Sequence, residues 1–310
     1  MMFRPIPLFT ALLLLNPAFA QETGLPGAEG LGEQPTPCTL QIRPPDMVVY
    51  RGALSRGYNS DSDRQHTEIA KVIIEHEGDA CPYTLRIQPE TGRGTAYMYN
   101  GQNTLEFEVS PPGRSGGSGS NMVEIAGNVA RGQFQRTVSF DLQIPPGQKT
   151  VAGRYVGRLE VSLYPDTSAA GELADRQYME VVVDVLPRID ASFGTNAIGG
   201  QKTTSLNFGK LQKGQKSSIE FSVTANIGYS IKVTSDNSGT LRHEHTTSGI
   251  DYSVYLDGTR ISVDASSASE TLLSSATNSQ HSMDFLITSN TSKALAGNYT
   301  DRLTLVVSAD

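Results

Sequence analysis

Short runs in which apolar and polar residues alternate, set apart by turn residues, recur along most of the chain. A period of two lays one side of each run against a core and turns the other to water, so each run predicts a half-buried β-strand. In the first half these runs predict strands near Thr39–Ile42, Met47–Tyr50, Ile69–Ile74, Tyr83–Gln88, Thr104–Val109, Met122–Ala126, Thr137–Ile144, Tyr155–Tyr164 and Tyr178–Val185. Pro187 cannot donate to a ladder and ends the last of them, and Arg188 to Ser192 reads as a linker. Beyond it, strands are expected near Ser205–Phe208, Ser217–Thr224, Tyr229–Thr234, Tyr252–Leu256, Arg260–Val263, Met283–Thr288 and Arg302–Ser308. No convincing amphipathic helix follows residue 20; the nearest candidate, Ala265 to Ala276, is too rich in Ser. About seven short antiparallel strands in little over a hundred residues fit an immunoglobulin-like sandwich. The expected fold class is all-β, with two such sandwiches in tandem.

The tandem reading comes from a pattern written twice. Ala152-Gly153-Arg154-Tyr155, followed by an alternating run, returns as Ala296-Gly297-Asn298-Tyr299 and a second such run, an offset of 144. Tyr83-Thr84-Leu85-Arg86-Ile87 returns as Tyr229-Ser230-Ile231-Lys232-Val233 at an offset of 146. Val138 to Leu142 returns as Met283 to Ile287 at 145. A near-constant offset over ordered blocks marks two related folding units. Ala-Gly lets the backbone turn tightly and Tyr anchors one face, so Tyr155 and Tyr299 are expected at equivalent, mostly buried positions.

The start of the chain reads differently. Arg4 precedes a mostly apolar run from Leu8 to Leu15, and Ala18-Phe19-Ala20 closes it, which is the pattern of a signal peptide over residues 1–20. No later stretch approaches the roughly eighteen consecutive apolar residues of a membrane span. A formal charge of −7 disfavours a nucleic-acid partner, and the scattered Lys and Arg make no basic face for a membrane. Cys38 and Cys81 are the only cysteines. After export, an even pair favours a disulfide, expected to join neighbouring strands and to stabilise by roughly 3 to 4 kcal/mol in the chain-entropy model. A redox-active or metal-binding pair is the alternative, without the C-x-x-C spacing or nearby His that would support it.

Phe208-Gly209, Ile219 to Thr224, Gly228 to Ile231, Ile250 to Tyr255 and Ala296-Gly297-Asn298-Tyr299-Thr300-Asp301 follow one another as in spore coat protein U-like domains. The second half therefore resembles the pilin subunits of archaic chaperone–usher fimbriae of Gram-negative bacteria, and Cys38 to Tyr164 resembles them more faintly. One departure is that such domains usually carry a disulfide, whereas the second half has no cysteine. The resemblance implies an incomplete pilin-type sandwich that lacks its last strand. It also implies a periplasmic pilus chaperone that lends a strand and an outer-membrane usher. An adjacent pilin subunit then supplies the permanent strand, a β-augmentation mode. The last alternating run lies close to Asp310, so nothing after it is expected to complete the second domain. Ile219, Phe221, Val223, Leu303, Leu305 and Val307 are the candidate lining of the donor-strand groove.

Residues 21–32 carry only two large apolar side chains among Gly and Pro, which suits a flexible leader and not a donor strand. An acceptor that cannot donate belongs at a fibre end. The expected organisation is a signal peptide (1–20), an adhesin-like N-terminal domain (21–187) and a pilin domain (188–310). The expected role is a tip adhesin at the cell surface that mediates attachment or biofilm formation. Its alternatives are a self-complete secreted or periplasmic sandwich that does not polymerise, and a secreted hydrolase.

Catalytic chemistry finds little support in the residues. His243-Glu244-His245 could place two ligands on one strand face, but no third is indicated, and the segment reads as the solvated end of a hairpin. There is no G-x-S-x-G elbow, and the Gly-rich stretch 113–119 lacks the Lys-Ser/Thr of a phosphate loop. No enzyme, cofactor or metal is expected. Tyr97, Met98 and Tyr99 are the candidate surface-binding loop, since aromatic and Met side chains offer large contact area, with no ligand implied. The competing reading packs Met98 and one Tyr inside.

Overall fold

A computed structural model describes residues 36–309 except 54–55, 93–94, 114–120, 167–168, 170, 195–199, 201, 265–269 and 274–278. The expected signal peptide, the leader and most of the Gly-rich stretch lie outside the described residues.

Alternation becomes strand wherever one parity is apolar. In the strand Gly153–Tyr164, Tyr155, Leu159, Val161 and Leu163 are fully buried while Arg154, Val156 and Arg158 face outward. The first half forms β1 (Thr39–Ile42), β2 (Val48–Tyr50), β3 (Thr67–Glu77), β4 (Cys81–Pro89), β5 (Ala96–Asn100), β6 (Asn103–Ser110), β7 (Val123–Val129), β8 (Gln135–Gln143), β9 (Gly153–Tyr164) and β10 (Asp175–Val185). The second forms β11 (Ile189–Phe193), β12 (Lys216–Ala225), β13 (Tyr229–Ser235), β14 (Thr240–His243), β15 (Gly249–Leu256), β16 (Thr259–Ile261), β17 (Glu270–Leu273), β18 (Ser279–Ile287), β19 (Tyr299–Thr300) and β20 (Leu303–Ala309). There is no helix among the described residues.

The two halves share one wiring. β1 pairs β3, β3 pairs β8, β8 pairs β6, β6 pairs β5 and β5 pairs β9. In the same order, β11 pairs β12, β12 pairs β18, β18 pairs β15, β15 pairs β14 and β14 pairs β19. β4 sits between β7 and β9, and β13 sits between β17 and β20. The counterpart of the continuous β9 is thus a pair of strands, β19 and β20, which break at Asp301-Arg302 as the chain passes from one sheet to the other. β10 has no counterpart among the described residues of the second half. It runs antiparallel to β9 from Gly153 to Leu163 and is covered on its other edge by parallel pairing with β2 and a bridge from Val185 to Tyr58.

Each half closes around its own core. One is built on Tyr83, Phe107, Phe140 and Tyr155, and the other on Phe221, Tyr229, Val254 and Phe285. Residues 37–310 nonetheless form one compact unit. The Cys38–Cys81 disulfide is present. It joins the start of β1 to the start of β4, which do not pair with each other, and so ties two strands from different ladders instead of the neighbours expected.

Three expectations are corrected. Residues 189–193 are not linker but strand β11, because Ile189, Ala191 and Phe193 alternate toward the second core. Ser205–Phe208 forms no strand; Leu206 and Phe208 pack against the core without a ladder. The Ser-rich stretch set aside as a poor helix contains β17.

Candidate functional site

β20 is the last strand of the second core and is short of cover. It pairs with β13 along its length, and no strand among the described residues pairs with its other edge. β11 passes beside it without a ladder. The same offset of 144 that relates the two Ala-Gly phrases relates Leu159, Val161 and Leu163 of β9 to Leu303, Leu305 and Val307 of β20. The first three are fully buried, whereas the second three remain partly exposed. The cause is β10, which drives Met179, Val181, Val183 and Val185 into the first core, all 2% exposed or less. Nothing among the described residues fills that place in the second.

The deficit is general around that core. Among the described residues thirteen partly buried hydrophobics pack against it, compared with three around the larger first core. Those on β11 (Ile189, Ala191, Phe193) and those on β20 (Leu303, Leu305, Val307) repeat at every second position on strands that run side by side. The two alternating apolar rows and the edge of β20 that no described strand pairs make the candidate slot for a further strand. Of the six residues expected to line a donor-strand groove, Ile219, Leu303, Leu305 and Val307 are only partly buried. Phe221 and Val223 are not, being 1% and 0% exposed in the interior.

The repeated phrase builds the same corner twice. Gly153 and Gly297 both take φ beyond +130°, a conformation that favours glycine, and a Cβ would collide with Asn100 in one and His243 in the other. The Tyr155 hydroxyl donates to the Val151 carbonyl four residues back (2.8 Å), and the Tyr299 hydroxyl donates to the Leu295 carbonyl (3.1 Å). The positions are equivalent, but only Tyr155 is sealed; Tyr299 is partly exposed, contrary to the sequence expectation. Asp301 fixes the break that follows. Its carboxylate accepts from Ser235 Oγ (2.6 Å), Tyr252 Oη (2.5 Å) and the Asn237 amides. Burial and then the hydrogen bond to Asp301 push the Tyr252 phenol far above its usual range, so it stays a donor.

Other candidate groups are committed to structure. His243 Nδ1 accepts from the His245 amide and its Nε2 donates to the Ala296 carbonyl. Glu244 takes the Asn298 backbone and side-chain amides at 3.0 Å each, and the backbone bond first of all holds its carboxyl below the usual range. The cluster clasps the end of β14 to the Ala-Gly turn and leaves neither nitrogen of the His243 ring free. A chain of hydrogen bonds runs from the buried Tyr229 Oη to His281 Nε2 (2.9 Å) and from His281 Nδ1 out to the exposed Asp257 (2.7 Å), with the Phe221 ring against the imidazole. Among the described residues the one group of potential metal ligands is Cys38, His76 and Cys81. The sulfurs are bonded to each other, and both His76 nitrogens lie against the Gln133 and Asp79 carbonyls.

Tyr97, Met98 and Tyr99 lie on strand β5, not on a loop. Met98 is fully buried, while Tyr97 and Tyr99 stand on the outer face at 41% and 48% exposure. Register puts Tyr99 opposite Val156, Val156 opposite Val182 and Val182 opposite Val49, an apolar row across four strands. Local pattern gives no sign of it, because only the pairing of β5, β9, β10 and β2 assembles it.

No family model and no curated protein matches the chain. Solved structures do. One chain of the CsuC–CsuE chaperone–tip adhesion subunit pre-assembly complex, from archaic chaperone-usher Csu pili of Acinetobacter baumannii, is similar at 12% identity. That alignment covers 87% of this chain and 99% of its own, with a TM-score of 0.44. The CupB6 tip adhesin from Pseudomonas aeruginosa is similar at 10% identity over 87% of this chain and 94% of its own, TM-score 0.34. CfaE, the adhesive subunit of CFA/I fimbria of enterotoxigenic Escherichia coli, is similar at 9% identity over 88% and 87%, TM-score 0.36.

Proposed function

We propose that this chain is a tip adhesin of a chaperone–usher fimbria. In this reading the second sandwich accepts a strand from a pilus chaperone and then from the adjacent pilin subunit. The first sandwich, completed by its own β10, faces outward from the fibre end at the cell surface. The observation that carries the reading is the unequal cover of two equivalent strands. β9 has partners on both edges, and β20 has one beside an alternating apolar slot. An open edge of this kind is a hazard unless a specific strand occupies it, and its main-chain groups together with its alternate side-chain seats recognise an extended apolar segment. The role is binding and assembly without catalysis, and Tyr97 and Tyr99 belong to the outward surface of the attachment domain.

A labelled synthetic peptide with Val or Ile at every second position tests this on the purified mature chain. It is expected to bind with an increase in fluorescence anisotropy. Leu305→Glu, which puts a charge in the slot, is expected to weaken binding by about tenfold or more, since desolvating an unpaired carboxylate costs well over 1.4 kcal/mol. Val306→Glu on the outward side of β20, where the side chain is 48% exposed, is expected to leave binding intact. No binding, or equal binding by all three proteins, points instead to a self-complete sandwich.

A further inference from the structure

Two sandwiches joined by three residues ordinarily move against each other unless something holds them. Here the joint, Leu186-Pro187-Arg188, lies between β10 and β11, and its polar backbone groups are engaged on both sides. The Leu186 amide donates to the Tyr58 carbonyl of the first sandwich (2.9 Å). The Leu186 carbonyl accepts from Asn226 Nδ2 of the second (2.9 Å). The Arg188 amide donates to Asn226 Oδ1 (2.7 Å), and the Arg188 carbonyl accepts from the Asn226 amide (3.1 Å). Pro187 has no amide to satisfy, and its ring fixes φ between them.

Asn226 does one thing more. Its carbonyl accepts from the Ala152 amide (2.7 Å), at the Ala-Gly corner that starts β9. One side chain and its own peptide groups thus grip the joint twice over and reach across to the first sandwich. The residue is 8% exposed, so these bonds are little contested by water. Beside it Arg188 pairs with Asp61 at 2.7 Å, a half-exposed ion pair that adds direction and little energy. The corner repeated in the second sandwich, at Ala296, makes its own bond within that sandwich, to His243. The first copy of the motif has therefore been turned to a different use.

We propose that Asn226 is an interdomain lock that makes the tandem one rigid body, fixing the outer face of the first sandwich relative to the β20 edge of the second. The residue sits between β12 and β13, the first in the ladder of β11 and the second in the ladder of β20. The orientation it sets is therefore referred directly to the strands that border the slot. The lock depends only on the contacts at the joint and stands whether or not the slot takes a donor strand.

Distance measurement by electron resonance on the full chain tests it. Spin labels are placed at Lys71→Cys on β3 and Lys232→Cys on β13, both exposed, with the Cys38–Cys81 disulfide kept oxidised. A chain with Gly-Gly inserted after Pro187 supplies the freely jointed reference. The parent is expected to give one narrow distance distribution, and Asn226→Ala is expected to lose it and approach the reference. Asn226→Asp keeps the acceptor for Arg188 and loses the donor to Leu186, and falls between them. If Asn226→Ala does not fold, this milder variant takes its place in the comparison. A parent as broad as the reference overturns the lock, and so does an Asn226→Ala or Asn226→Asp protein as narrow as the parent.

Discussion

Fusing a copy of Asp175–Val185 after Asp310 through a short Gly/Ser linker is expected to raise the unfolding temperature of the second sandwich and to leave the first where it was. The copied strand presents Met179, Val181, Val183 and Val185 at every second position, the side chains that seal β9 from its open edge. β20 offers the same wall one repeat later, with Leu303, Leu305 and Val307 partly uncovered. A ligand that binds only the folded state stabilises it by RT ln(1 + [L]/Kd), and a short linker supplies it at millimolar effective concentration. For a micromolar intrinsic affinity this amounts to about 4 kcal/mol, or roughly 10 °C or more for a domain of this size. Calorimetry on the full chain is expected to show one transition for each core, because each half closes around its own cluster of side chains. An unchanged upper and lower transition, or an equal rise in both, removes the basis for an acceptor domain.

Replacing the two equivalent tyrosines is expected to give unequal losses. Tyr155 is fully buried, and its hydroxyl bonds Val151 and lies 2.7 Å from Thr150 Oγ1. Tyr155→Ala leaves an aromatic-sized cavity and an uncompensated carbonyl, at a cost of about 4 to 5 kcal/mol. Tyr299 is partly exposed, holds one hydrogen bond and meets the His243 ring edge-on at 5.0 Å, so Tyr299→Ala is expected to cost about 1 to 2 kcal/mol. The chain has no Trp, so unfolding is followed by calorimetry or far-ultraviolet dichroism. Equal losses would mean that the two corners are packed alike, and the difference in cover between β9 and β20 would then need another cause.

Much of this architecture is legible in the residues, for a physical reason. Alternation reports burial on one side, and the two Ala-Gly-x-Tyr phrases report a turn that only glycine adopts freely, so the tandem and most strands follow from pattern. The strands that escape it are those whose burial depends on partners far along the chain. β5 contributes Ala96 and Met98 inward between two tyrosines, and nothing local says which parity faces the core. β11 mixes Asp190 and Ser192 with its apolar positions and reads as linker until β12 pairs with it. The slot is half legible. Leu303, Leu305 and Val307 follow from alternation, but Phe221 and Val223 alternate just as well and are sealed. Pattern gives the face of a strand and not the depth of its cover. Asn226 leaves no signal at all, because its role consists of bonds to residues 38 to 74 positions away.

The central claim, that β9 is covered on both edges and β20 on only one by the described strands, is tested most directly by amide hydrogen exchange of β9 and β20 in the same chain. Amides of a strand paired on both edges in a sealed sheet exchange only on large-scale opening, whereas those pointing to an uncovered edge exchange by local fluctuation. Exchange along Leu303–Ala309 is expected to be much faster than along the equivalent part of β9. Fusion of the Asp175–Val185 copy is expected to slow β20 toward β9 without altering β9. Equal protection of the two strands in the unfused chain would contradict the account.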